Sequence, residues 1–160
     1  MNKTPISPAI ALTRAQNLCA RCEQAPAAIR TKMLSWGLSK RDADALVDQL
    51  TADGFLNEQR YARAFVHDKF LYNHWGRNKI AFELKRNGID SETIASAMLA
   101  IDDDEYRDTI ARIITDRARS LSGKTPLQVR ASLARFAASR GIEPDLAYDI
   151  INNLTPYEQD

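Results

Sequence analysis

Two cysteines and two histidines are the side chains with which this 160-residue chain could bind a metal or act as a nucleophile. Cys19 and Cys22 form one Cys-x-x-Cys pair, whereas structural zinc takes about four ligands. His67 and His74 lie at no usual ligand spacing behind that pair. Thiols three residues apart share one helix face, so we expect both to pack there, and we predict no catalytic site, metal or cofactor.

Other catalytic patterns are equally weak in the sequence. The chain contains no glycine-rich phosphate loop and no recognisable Ser–His–Asp order. Its carboxylates fall at predicted helix starts and on solvated faces, where they form no obvious acid–base pair. The sequence therefore does not favour an enzyme, and a reaction that uses Cys19 or Cys22 remains the enzymatic alternative.

Basic residues form the second group with a chemical use, because they bind phosphates and acidic protein surfaces. Residues 76–88 carry four basic residues against one acidic residue, and residues 107–124 carry five against two, although the whole chain has a net charge of only +1. A solvated helix face is the ordinary explanation, and a track for an anionic partner is the functional one. The candidate contact residues are Arg77, Lys79, Lys85, Arg86, Arg112, Arg117 and Arg119.

A spacing pattern that occurs three times indicates the elements that position these residues. Apolar residues stand eight and four positions before a glycine and directly after it, in the sets Ile29, Met33, Gly37, Leu38; Ile80, Leu84, Gly88, Ile89; and Leu133, Ala137, Gly141, Ile142. More apolar residues follow each glycine at nine, ten and thirteen positions: Leu46, Val47, Leu50; Ala97, Met98, Ile101; and Ile150, Ile151, Leu154. Each set predicts two helices joined by a left-handed glycine.

Capping residues mark the helix starts. After each glycine a start is indicated by Ser39 with Asp42, by Asp90 with Glu92, and by Glu143 with Pro144. Another helix precedes each pair, and its start is indicated by Thr13 with Gln16, by Asn57, and by Asp103 to Glu105. Thr125 and Pro126 mark one further start.

The pattern predicts an all-α fold of three tandem three-helix units that form an elongated, curved array. The units are 12–50, 53–101 and 102–154, and residues 1–11 and 155–160 are expected to be loosely ordered tails. Helices this short must bury their faces against one another. No apolar run approaches the roughly 20 residues of a membrane span, and the N-terminus lacks a secretory h-region, so we expect a cytoplasmic monomer.

The stretch from Gly54 to Ile89, GFLNEQRYARAFVHDKFLYNHWGRNKIAFELKRNGI, resembles the signature of the RecX regulatory proteins of bacteria. The end of the third unit, RFAASRGIEPDLAYDII, is similar to the C-terminal repeat of that family. The resemblance covers about residues 12–154. The signature residues to which we assign a structural part are Gly54, Phe55, Tyr61, Phe65, Trp75, Gly76, Leu84 and Gly88.

The resemblance implies regulation without catalysis. RecX proteins bind the RecA recombinase and its nucleoprotein filament, and they restrain filament growth, ATP hydrolysis and strand exchange in recombinational DNA repair and the SOS response. By resemblance, the partners are the RecA filament and single- or double-stranded DNA, with no membrane. A curved array of helical units would lie along the filament groove.

Two non-enzymatic alternatives stay open at this point. One is a DNA-binding protein that competes for single strands, whose binding would weaken steeply with salt. The other is a helix-turn-helix transcription factor, which requires an exposed recognition helix and usually a dimer. No single helix of this sequence stands out for that second task.

Overall fold

The computed structural model describes residues 4–155, and within that range it contains nine α-helices and no strand. The helices are α1 (Pro8–Arg21), α2 (Pro26–Ser35), α3 (Lys40–Ala52), α4 (Glu58–Leu71), α5 (Arg77–Arg86), α6 (Ser91–Met98), α7 (Asp103–Arg119), α8 (Pro126–Ser139) and α9 (Pro144–Leu154). The all-α prediction is confirmed.

The repeated spacing corresponds to the buried face of each helix pair. The apolar residues before and directly after the three glycines are all buried. Gly37, Gly88 and Gly141 adopt φ values of 95°, 84° and 68°, the left-handed conformation that the pattern predicts. Each glycine therefore ends a helix and allows the next apolar residue to return to the core.

Most of the predicted caps are present. The side chains of Ser39, Asn57, Asp90 and Asp102 each accept a hydrogen bond from a backbone N–H three residues further on. Thr125 and Gln128 form a reciprocal capping box at the start of α8. Glu143 makes no side-chain cap at α9, which begins instead with Pro144 in the first turn. The side chain of Glu143 is used elsewhere.

The predicted start of the first helix is wrong. The first helix begins at Pro8, and the side chain of Ser7 accepts a hydrogen bond from the Ile10 N–H. Proline is already suited to the first helical turn, so this pair starts the helix before Thr13 can do so. Thr13 lies inside α1 and donates its hydroxyl to the Ala9 carbonyl, 3.2 Å away. Residues 8–11 are thus helical, not a loose tail, while residues 1–3 and 156–160 lie outside the described range.

The described chain divides into two compact units. The first contains the described residues through Phe65 together with Leu84–Ala97. In it α3 packs against both α1 and α2. The core of these helices consists of Ala11, Ala15, Ile29, Met33, Leu38, Ala43, Leu50 and Leu56. Small alanines on α1 and α3 let the helices approach closely, while larger residues of α2 fill the space between them.

The second compact unit contains Val66–Glu83 and the described residues from Met98 onward. Helices α7, α8 and α9 pack against one another in it. Their buried residues include Tyr106, Ile110, Ile114, Leu133 and Ile151, each no more than 2% exposed. The predicted unit borders at 53 and 102 stay a prediction.

Gly88 provides a test of the glycine that joins the helices of each repeat. We expect Gly88→Ala to lower the free energy of unfolding by more than the roughly 1 kcal/mol that a left-handed alanine costs. The additional loss arises because a Cβ at Gly88 would lie 2.9 Å from the Cβ of Ala27. Chemical denaturation followed by circular dichroism measures the change.

Gly123→Ala is the matched control. Gly123 has the same φ of 84°, but a Cβ there would meet no atom within 4 Å. Gly123→Ala should therefore lower the free energy of unfolding only by the cost of a left-handed alanine. Equal losses for the two variants would contradict a steric contribution from Ala27.

Candidate interaction surface

The N-terminus of α5 is held by backbone groups of the turn between α8 and α9. The Gly76 N–H donates to the Arg140 carbonyl oxygen at 2.6 Å, and the Asn78 N–H donates to the Gly141 carbonyl oxygen at 3.0 Å. A Cβ on Gly76 would lie 2.6 Å from the carbonyl carbon of Gly141. Glycine is therefore required at position 76 by the close approach of two backbones. We call this contact the α5 joint.

Tyr106 of α7 supplies the next partner in the α5 joint. Its hydroxyl accepts the Arg77 N–H at 3.0 Å and donates to a carboxylate oxygen of Glu143. The side chain is fully buried. Burial first, and then the hydrogen bond to Glu143, hold the pKa of Tyr106 well above its usual range, so the phenol keeps its proton. The N–H groups of Gly76, Arg77 and Asn78 stand at the start of α5, where the helix itself offers them no acceptor. All three are therefore paired with groups outside α5.

Arg77 binds to the same group of residues through its side chain. Its guanidinium carbon lies 4.1 Å from the centre of the Tyr106 ring. Its Nη2 is 2.5 Å from Oδ1 of Asp103, and its Nη1 is 3.8 Å from Oε2 of Glu143. The side chain is only 27% exposed. Arg77 thus contacts two carboxylates and an aromatic ring of its own chain.

Trp75 is the aromatic residue that flanks the α5 joint. The Nζ atoms of Lys69 and Lys79 lie 4.9 and 4.4 Å from the centre of its half-buried ring. Lys79 also donates to the Ser139 carbonyl at 3.3 Å, and Arg140 donates to the Asn73 carbonyl at 2.7 Å. Trp75 is therefore a half-buried anchor held by cation–π contacts.

The other predicted contact residues lie on exposed surfaces. Lys85 and Arg86 occupy the last turn of α5, and Arg112, Arg117 and Arg119 lie along α7. The guanidinium of Arg117 is 5.6 Å from the Phe136 ring centre, and that of Arg119 is 3.5 Å from Oδ1 of Asp116 while remaining 78% exposed. Lys85 and Arg86 belong to the first compact unit and the other five candidates to the second.

The remaining signature residues have structural positions. Leu84 and Gly76 are buried, and Phe55, Tyr61 and Phe65 are half-buried. The Tyr61 hydroxyl accepts a hydrogen bond from the Asn87 side chain at 3.1 Å. Gly54, like Gly88, has a positive φ, here 81°. The structural part assigned to these residues stays a prediction.

Several notable residues were not anticipated from the sequence. Tyr106 follows the acidic start of α7 and is the one aromatic residue of that helix, but no local pattern indicates its role. His74 has a φ of 55°, and its Nδ1 is buried without a hydrogen-bond partner. Phe82, which is 64% exposed, and Leu127, which is 75% exposed, break the apolar-inside pattern of their helices. Single exposed apolar residues are common on protein surfaces, and a contiguous apolar patch is what marks a surface for a partner.

The two cysteines are free thiols, Cys19 half-buried and Cys22 exposed. Partial burial, followed by the nearby Glu23 carboxylate, raises the pKa of Cys19, which lowers its thiolate fraction at neutral pH. Within residues 4–155 no three His, Cys, Asp or Glu side chains are grouped so that they could hold a metal ion. None of the described helices is both long and apolar enough to cross a membrane.

Comparison with known proteins identifies relatives for both the sequence and the fold. Residues 57–98 match the family model described as RecX, second three-helix domain. Regulatory protein RecX of Mycobacterium sp. (strain JLS) is 31% identical over 147 residues, which are 86% of this chain and 80% of that relative. Regulatory protein RecX of Xanthomonas axonopodis pv. citri is 33% identical over 130 residues, 81% of this chain and 78% of the relative.

The fold is shared with solved structures. The crystal structure of RecX from Lactobacillus salivarius gives a TM-score of 0.79 over 92% of this chain and 96% of that chain, at 16% identity. A second crystal structure, of a regulatory protein RecX, gives a TM-score of 0.80 over 91% of this chain and 71% of the other, at 14% identity. These structural likenesses concern the fold.

Tyr106→Phe tests the energetic weight of the α5 joint. The change removes one hydroxyl and leaves the Arg77 N–H and the Glu143 carboxylate without it. We expect the free energy of unfolding to fall by about 1–3 kcal/mol, the cost of unsatisfied buried polar groups. Urea denaturation is the measurement.

Tyr72→Phe removes the same atom from a ring that is 74% exposed. It should change the unfolding free energy by less than about 0.5 kcal/mol. A Tyr106→Phe variant as stable as Tyr72→Phe would show that the joint does not depend on the hydroxyl.

Proposed function

This chain belongs to the RecX family of regulatory proteins, and from that premise we propose that it binds the RecA recombinase and its nucleoprotein filament in the cytoplasm. In this proposal it acts without catalysis. It lowers ATP hydrolysis, filament extension and strand exchange, and so restrains recombinational DNA repair and the SOS response. The observation that carries the proposal is the similarity to RecX proteins over 86% of the chain.

The contacts of the candidate residues support two different roles, one within the chain and one toward a partner. Arg77 and Lys79 hold the α5 joint, so their positive charges are directed at groups of the same chain. Lys85, Arg86, Arg112, Arg117 and Arg119 are exposed and therefore better placed to meet an anionic surface. We assign these five residues to contacts with the filament.

A second candidate function is competition for single-stranded DNA, which two exposed aromatic side chains favour. Tyr72 is 74% exposed at the end of α4, and Phe82 is 64% exposed on α5, three and four residues before Lys85 and Arg86. An aromatic ring beside cations is the combination that stacks on bases and binds phosphates. In that case Phe82→Ser should weaken binding to an oligothymidylate in the absence of RecA.

Charge reversal tests the assignment of the contact residues. We expect the Lys85→Glu/Arg86→Glu and Arg112→Glu/Arg119→Glu variants to bind the RecA filament about tenfold more weakly each, since two favourable surface charges become repulsive. Co-sedimentation with filaments on single-stranded DNA measures the affinity. Circular dichroism and the unfolding midpoint should remain those of the wild-type protein.

Lys32→Glu/Lys40→Glu is the matched control, because it makes the same charge change at exposed positions outside both basic stretches. Arg77 and Lys79 are left out of the test, since glutamate at position 77 would face Asp103 and Glu143. If the control pair weakens binding as much as the test pairs, the effect is one of net charge and the assignment is wrong.

A further inference from the structure

An open groove lies on the surface of helices α7, α8 and α9, away from the α5 joint. It has a volume of about 780 Å³ and lies between the C-terminal part of α7, the N-terminal part of α8 and the end of α9. The capping box of Thr125 and Gln128 fixes the start of α8 at one edge. All of its described lining belongs to the second compact unit.

The floor of the groove is aliphatic. Its apolar lining residues are Ala118, Pro126, Leu127, Val129 and Leu154. Leu127 is 75% exposed and Leu154 is 37% exposed, although both belong to helices that bury apolar residues of similar size elsewhere. Covering the exposed parts of these leucines removes apolar area from water, so the floor would stabilise a partner that brings an apolar side chain.

The rim of the groove is cationic. Among the described residues that line it, Arg119, Lys124 and Arg130 carry positive charge and none carries a carboxylate. Arg130 also closes the end of α9, because its guanidinium donates to the Thr155 carbonyl at 3.0 Å and to Asn152 at 2.7 Å. Arg119 and Lys124 are exposed. The charge of the rim therefore complements an anionic partner.

We propose that this groove is a docking site for an acidic peptide segment that carries an apolar anchor residue. The anchor covers Leu127 and Leu154, and flanking carboxylates pair with Arg119 and Lys124. The groove favours a peptide over nucleic acid because its described lining contains no aromatic ring on which a base would stack. This surface goes beyond the RecA-binding role. It shares Arg119 with the residues assigned to the filament, so the groove is tested at Leu127 and Lys124, which are not among them.

The test uses the full chain and a fluorescently labelled synthetic peptide of aspartate and glutamate residues with one central phenylalanine. Fluorescence anisotropy should detect saturable binding. Leu127→Ser should weaken it about tenfold through loss of apolar burial, and Lys124→Glu about threefold through loss of a surface charge pair. A peptide with serine in place of the phenylalanine should bind as weakly to the wild-type chain as the original does to Leu127→Ser.

Two matched variants control for exposure and charge. Leu99→Ser removes a leucine that is 85% exposed but does not line the groove, and Lys32→Glu reverses an exposed charge on α2. Both should bind the peptide as the wild-type chain does. Equal loss in the control and groove variants would overturn the proposal.

Three further results would each overturn the proposal in favour of another occupant. Oligothymidylate binding that falls in Leu127→Ser and Lys124→Glu while peptide binding does not would assign the groove to nucleic acid. Peptide binding about tenfold tighter in a Tyr157→Ser variant would assign it to the chain's own segment beyond Thr155. A dimer in analytical ultracentrifugation that Leu127→Ser dissociates would assign it to a second copy of the chain.

Discussion

The close approach of the Gly76 backbone to the Gly141 backbone is the constraint on which the second compact unit depends. It allows the first N–H groups of α5 to donate to Arg140, Gly141 and Tyr106. The helix start, which would otherwise need water or its own cap, is thereby satisfied by the α8–α9 turn and by α7. Arg77 then brings positive charge to Glu143 and Asp103. Because backbone, ring and ion-pair contacts share the same few residues, the loss of one should weaken the others.

The basic residues are of two kinds, those that contact the α5 joint and those that are exposed. Arg77 and Lys79 neutralise or bind groups of their own chain, whereas Lys85 and the arginines of α7 extend the exposed surface. The signature residues Trp75 and Gly76 lie at the same joint as Arg77 and Lys79. We therefore propose that partners contact exposed cations and exposed apolar residues, such as Phe82 within the signature stretch and Leu127 on α8.

Much of the fold could be predicted from the sequence because it depends on local physics. Helical spacing located the buried face of each repeat, and the left-handed glycines and the caps at Ser39, Asn57 and Asp90 are short-range features. The predicted start of α1 at Thr13 was wrong because Ser7 and Pro8, about six residues earlier, already begin the helix. The role of Tyr106 could not be predicted, since its partners lie 29 and 37 residues away. Long-range contacts of this kind also determine whether a basic residue is paired within the chain or exposed.

We propose that this RecX-family chain restrains RecA at the filament. The most direct measurement is ATP hydrolysis by the cognate RecA on single-stranded DNA, with this protein titrated below the RecA concentration and the DNA held in excess. Excess DNA prevents competition for strands from imitating inhibition. We expect the rate of ATP hydrolysis to fall at a low ratio of this protein to RecA. An unchanged rate, together with salt-sensitive binding to bare DNA, would contradict it and favour the DNA-binding alternative.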